Sequence, residues 1–174
     1  MVTYADLFTP TLFFVTNRTV GGEALLANAM LMRVLQVVLM AVKQRHAFRL
    51  VGHLFLPDQM QLLLEPAQGV VVDQVMAAVQ QGFQTDYHQL NGMPGAMLLW
   101  EKMYRTQRLK DETDFANRLD AIHYAPVQQG WVDKPEAWPY SSYHTWVARG
   151  LYVAQWGWTL PANLRSNTTP KGFR

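Results

Sequence analysis

Two apolar arms, Leu54-Phe55-Leu56 and Leu62-Leu63-Leu64, lie on either side of Pro57-Asp58, and this pattern constrains the fold more than any other stretch. Proline presets the backbone for a turn, and aspartate favours the same bend, so the segment from Leu54 to Glu65 reads as a tight β-hairpin. Alternation along its second arm puts Gln59 and Gln61 on one sheet face and Met60 on the other. Two neighbouring amides are either a solvated strand face or a hydrogen-bonding surface that belongs to a site.

The flanking segments supply the rest of an α+β domain. Thr11-Leu12-Phe13-Phe14-Val15-Thr16 is β-branched and aromatic, follows Pro10, and is ended by Asn17-Arg18-Thr19 and Gly21-Gly22, as a first strand would be. A long helix is predicted from about Glu23 to Arg45, with Lys43 and Arg45 complementing its C-terminal dipole. Phe48 to Leu56 and Gln59 to about Leu64 are the hairpin strands, and Pro66-Ala67-Gln68-Gly69 breaks the sheet. From Val71 to about His88, Val72, Val75, Met76, Val79 and Phe83 recur at helical spacing.

A loop is expected at Asn91-Gly92-Met93-Pro94-Gly95, and a fourth strand between Met97 and Leu109. Asp111-Glu112-Thr113-Asp114 opens a helix with acidic residues at its positive end, and Pro126 should stop it soon after Tyr124. Strands with helices on one face satisfy the two-layer requirement. The economical architecture is a ferredoxin-like antiparallel sheet with helices on one face.

The chain of 174 residues is expected to be a single domain: a core over 1–130 and an aromatic-rich C-terminal extension over 131–174. That extension contains Trp131, Trp138, Tyr140, Tyr143, Trp146, Tyr152, Trp156 and Trp158. Its aromatic rings serve either as apolar area packed across the core or as stacking surfaces for unpaired bases. From about Asn163 the tail is polar and basic and is expected to be mobile.

Cysteine is absent, which excludes disulfides, cysteine-ligated zinc and a thiol nucleophile, and fits a reducing cytoplasm. The formal charge of +2 permits an anionic partner without requiring one. Arg33 sits in the middle of the most apolar run, Ala24 to Val42, where a charge costs roughly 2.5–3.5 kcal/mol on membrane insertion, so a buried helix is expected rather than a membrane span. The start of the chain lacks a basic region and is not expected to be a signal peptide.

Three separated blocks carry a resemblance to a known family. Leu56-Pro57-Asp58-Gln59-Met60-Gln61-Leu62-Leu63 is similar to the segment of single-tyrosine HUH transposases in which two histidines flank a hydrophobic residue. The run from Asp120-Ala121-Ile122-His123-Tyr124 to Val132, followed by Trp138-Pro139-Tyr140-Ser141-Ser142-Tyr143, resembles their tyrosine-bearing block. Val147-Ala148-Arg149-Gly150-Leu151-Tyr152 with Trp156-Gly157 resembles the tail of the REP-associated branch. The blocks keep their order across nearly the whole chain.

In that family the two histidines bind a divalent metal, Mg2+ or Mn2+, that polarises the scissile phosphate, and the tyrosine attacks it to leave DNA covalently attached. Here the corresponding positions are Gln59, Gln61 and Ala121. Neutral amides hold such metals weakly and alanine cannot attack, so the resemblance implies a degenerate member: no intact catalytic residue, no cofactor expected, and single-stranded or hairpin DNA as partner.

Tyr124, three residues after Ala121, is the substitute nucleophile that an active enzyme would need, and His53 on the paired strand is the substitute metal ligand. Lys102, Arg105, Arg108 and Lys110 form the best basic cluster for DNA, although strand alternation would put Arg105 and Arg108 on opposite faces. The resemblance adds Arg18, Arg118, His123 and Arg149. A protein-interaction module, or a homodimer through the apolar first helix, is the remaining alternative. Changes at Ala125, Gln128 and Gln129 favour natural drift over deliberate inactivation.

Overall fold

The computed structural model describes residues 1–92 and 97–167. Its elements in chain order are α1 (Tyr4–Leu7), β1 (Phe13–Arg18), α2 (Ala29–Arg45), β2 (Phe48–Leu56), β3 (Gln59–Pro66), α3 (Val72–Asn91), β4 (Arg105–Arg108), α4 (Glu112–Gln128) and α5 (Tyr143–Ala148), with short 3-10 turns between several of them. The four strands form one antiparallel sheet in the order β2-β3-β1-β4, the ferredoxin-like arrangement.

Parity along the strands sorts the core into two layers. Val15, Phe55, Met60, Leu62 and Leu64 point to one face, where α2 and α3 cover them with Leu35, Leu39, Val42, Val75, Met76, Val79 and Phe83. Both helices of the ferredoxin-like unit are therefore on one face. The opposite face carries Val51, Leu54, Leu56 and Leu63, and α4 packs there through Phe115, Leu119 and Ile122. Because α4 follows the unit in sequence, it adds a third layer.

That third layer depends on Gly52, at the β-bulge where β2 slips register against β3. A Cβ at this position would come within 2.8 Å of the Leu119 side chain and 3.2 Å of Leu63, so glycine permits the close approach of helix and sheet.

Three sequence expectations need correction. The helix predicted from Glu23 begins at Ala29, because Gly21 adopts a positive φ, two 3-10 turns occupy 20–27, and the Asn28 side chain caps the Met30 N–H. The strand predicted from Met97 is confined to Arg105–Arg108. Ahead of it only Trp100 bridges Thr19, while Leu99 and Trp100 bury their side chains in the core. Pro126 does not stop α4 at Tyr124. It lies inside the last turn, where its missing N–H costs a single helical bond, and Gln129 and Trp131 close the end through the Ala125 and Pro126 carbonyls.

The extension continues the sheet past β2. Leu54 bridges Ser141, Phe55 N–H donates to Tyr140 O, and Ser142 N–H donates to His53 O, so the outer edge of β2 is covered. The start of the tail is anchored: Asn163 donates to Asp120 at 2.8 Å and to Asn117 at 3.0 Å. Residues 168–174 of the tail, and 93–95 of the expected loop, lie outside the described residues.

Gly52→Ala is expected to lower stability by about 1–3 kcal/mol through overpacking against Leu119, or about 2–4 °C in melting temperature per kcal/mol. Thermal denaturation followed by circular dichroism measures it. Gly69→Ala is a less informative comparison, because that glycine needs its positive φ but has no neighbour to crowd.

Candidate nucleic-acid interface

On the face that α4 covers, the sheet end nearest the hairpin turn stays polar. Register places Arg18 directly across from Gln59, and Thr16 between Gln61 and Arg105. Gln61 donates to the Gln59 amide oxygen at 3.2 Å, and Gln59 approaches Asp58 Oδ1 at 3.5 Å. Gln59 is only 7% exposed, whereas Gln61 is half-buried, and Arg18 and Arg105 are exposed. Neither arginine has an ion pair among the described residues.

The face is thus open and basic on its β1–β4 side. Lys102 joins this end, since the preceding Glu101 donates its N–H to the Arg18 carbonyl. Sequence reasoning missed Thr16 and Gln107, which strand parity on β1 and β4 would have found.

α4 borders the same face. Arg118 reaches from it to Gln107 at 2.9 Å and stands 5.0 Å above the Phe14 ring, with Asp114 one turn back at 4.0 Å. At 3.6 residues per turn, Ala121 and Ala125 share the Arg118 flank, while Tyr124 falls roughly opposite the Phe115–Leu119–Ile122 stripe that meets the sheet. The Tyr124 ring instead lies against the C-terminal segment, beside Gly157. Tyr124, the substitute nucleophile that an active enzyme would need, is thus turned away from the sheet.

His53 pairs with Leu62 and stacks near Phe55 at 5.3 Å, which puts it on the face away from Gln59 and Gln61. It cannot join them as a ligand. Burial pushes its pKa down to about 4, as for a neutral imidazole.

His123 is fully buried and offers nothing to DNA, correcting its place among the contact candidates. Its Nδ1 is 2.8 Å from the Tyr152 hydroxyl and its Nε2 is 2.7 Å from Ser142 Oγ. Tyr152 in turn donates to Asp120 Oδ1 at 2.8 Å, and Tyr4 donates to the same oxygen at 2.6 Å. Burial raises the Asp120 pKa against the lowering effect of these donors, and it depresses His123 to about 3. The network joins α1, α4 and the extension. His123 is the one member that sequence reading placed among the DNA-contact candidates.

The remaining cations disperse. Arg108 is on the α2–α3 face and donates to the Pro10 carbonyl, confirming that it opposes Arg105. Lys110 lies beside the acidic start of α4, and Arg149 packs over Trp146, whose indole donates to Val51 O. The assembled set is Arg18, Lys102, Arg105 and Arg118 around the Gln59/Gln61 pair.

A divalent metal does not fit this set. The Gln59 oxygen already accepts from Gln61, which leaves one free amide oxygen and the Asp58 carboxylate. Among the described residues no group of three histidine or carboxylate side chains converges on a common point.

The structure superposes on a REP-associated tyrosine transposase solved bound to a REP hairpin, with a TM-score of 0.74 at 21% identity, covering 90% of this chain and 92% of that one. The fold is that of the transposase-like proteins related to DNA-cutting enzymes. No protein-family model matches the chain.

By sequence it is 25% identical to the REP-associated tyrosine transposase of Escherichia coli over 146 residues, 84% of each chain. It is 39% identical over 59 residues to a Haemophilus influenzae protein assigned to the same group, a match spanning 34% of each. In sequence and in fold the chain is similar to REP-associated tyrosine transposases.

The buried imidazole sets a pH dependence. The folded pKa of His123 is depressed from 6.5 to about 3, so between these values the unfolded chain binds the extra proton and stability falls as pH drops from 6.5 towards 3. The slope attributable to one proton is about 1.4 kcal/mol per pH unit. His123→Gln should reduce the slope of unfolding free energy between pH 4 and 6 by about that amount, as measured by urea titration.

Proposed function

We propose that the chain is a DNA-binding relative of the REP-associated tyrosine transposases that does not cut DNA. The observation carrying this reading is the Gln59/Gln61 pair, hydrogen-bonded within itself and flanked by the guanidinium groups of Arg18 and Arg105, which have no ion pair among the described residues. Cleavage through a phosphotyrosine needs a tyrosine hydroxyl facing the phosphate and a Lewis acid beside it. Ala121 removes the first. The amide pair is a poor holder of the second, and Tyr124 is on the far side of α4.

Binding requires neither of these groups. Arg18, Lys102 and Arg105 are exposed cations suited to phosphates, and the amide groups of Gln61 and Gln59 add neutral donors and acceptors. Single-stranded or hairpin DNA is the partner this surface suits, and the hairpin bound by the structural relative supports the same class.

Hairpin-bearing single strands incubated with Mg2+ or Mn2+ should give no cleavage product and no covalent protein adduct on denaturing gels. A metal-dependent adduct that vanished in Tyr124→Phe would refute the proposal in favour of an active enzyme with a relocated nucleophile. Binding should weaken with salt, and Arg18→Ala should reduce the log–log salt slope by roughly 0.7–0.9 if that side chain neutralises one phosphate.

Self-association is a second reading, favoured by the exposed Met30, Val37 and Met40 along α2. Sedimentation velocity at micromolar concentration should then show a dimer that Val37→Lys dissociates.

A further inference from the structure

We infer that Trp131, braced by Trp138, is a stacking platform for an unpaired base of a DNA strand crossing the Gln59/Gln61 face. This rests on the DNA-binding reading and names the part of the ligand that its far border takes. The extension holds Trp138 at the β2 edge, where its indole N–H donates to Phe55 O at 3.0 Å and its ring meets Tyr140 edge-on at 5.7 Å.

Trp131 leaves the C-terminal end of α4 with its N–H on the Pro126 carbonyl, and its ring lies 6.3 Å from Trp138 at a 41° tilt. Half of its surface is exposed. An indole so braced has little rotamer freedom left to lose when a flat ring settles on it.

Position supplies the second argument. The segment 140–142 is the next strand position beyond β2, so the order across the molecule is extension, β2, β3, β1, β4. Three strand spacings, about 14 Å, separate the extension from β1. Phe55, which anchors Trp138, pairs with Met60 between the two glutamines, so the aromatic ledge and the amide pair share one end of the sheet. α4 packs on the same side of the sheet as the amide pair, and Trp131 follows it in the chain to meet Trp138.

The face is therefore bounded by exposed arginines along β1 and β4 and by a half-exposed indole past β2. An apolar protein partner spanning it would strip water from Arg18 and Arg105 without an anion to replace it. A nucleic-acid strand supplies phosphates to the arginines and a π-face to the indole. The base must be unpaired, since paired bases are already stacked within the duplex.

The test measures binding of fluorescently labelled DNA by anisotropy, using a mixed-sequence single strand, the same strand with abasic sites, and a blunt duplex. Trp131→Ala should weaken binding to the intact single strand about tenfold, and Trp131→Phe, which keeps an aromatic face, should stay within about threefold of the original protein. The abasic strand and the duplex should bind the original protein and Trp131→Ala equally.

Equal affinity of Trp131→Ala and the original protein for the intact strand, with Arg18→Ala still weakening it, would overturn the platform and leave the DNA-binding reading standing. An equal loss on duplex and single strand would also overturn it. Failure of the original protein to bind any of the three would overturn both.

Discussion

The close packing of α4 on the sheet is the contact on which the rest of the molecule depends. Leu119 rests where a side chain at Gly52 would be, and Phe115 and Ile122 complete the stripe. A helix seated that tightly has a fixed rotation about its axis, so each residue on it acquires a definite direction. Arg118 thereby reaches Gln107 on β4, and Tyr124 is turned to the C-terminal segment.

A buried polar network holds the same helix from its other side. Asp120 accepts from Tyr4, Tyr152 and Asn163, and His123 is shared between Tyr152 and Ser142. Each buried group has its partner, the condition under which such a network specifies one arrangement rather than destabilising the fold. Because the partners come from α1, α4 and the extension, displacing any one would strand a buried donor or acceptor in the others. The aromatic extension is thus part of what orients α4, and the same segment carries Trp138 and Trp131 to the edge of the site.

The polar face sets neutral amides beside exposed cations. Amides are uncharged over the whole accessible pH range, and the two glutamines satisfy each other in part, so they form a neutral floor between cations. Guanidinium groups remain charged as well. Such a surface favours phosphates without needing a proton transfer or a bound ion.

Much of the sheet was legible from local pattern. The Pro57-Asp58 turn, the parity of Gln59 and Gln61, the opposition of Arg105 and Arg108 and the period of α3 follow from rules spanning a few residues. Element ends were less legible, since the start of α2 depends on Asn28 capping it after Gly21 bends the chain, and β4 is long only where β1 offers a partner. Tertiary structure alone decided that α4 covers the face opposite α2 and α3, that Tyr124 and His53 point away from the amide pair, and that His123 is buried. Backbone periodicity is set by neighbours along the chain. Which faces meet, and which side chains are sealed between them, is set by packing among residues up to 116 positions apart, as Tyr4 and Asp120 are.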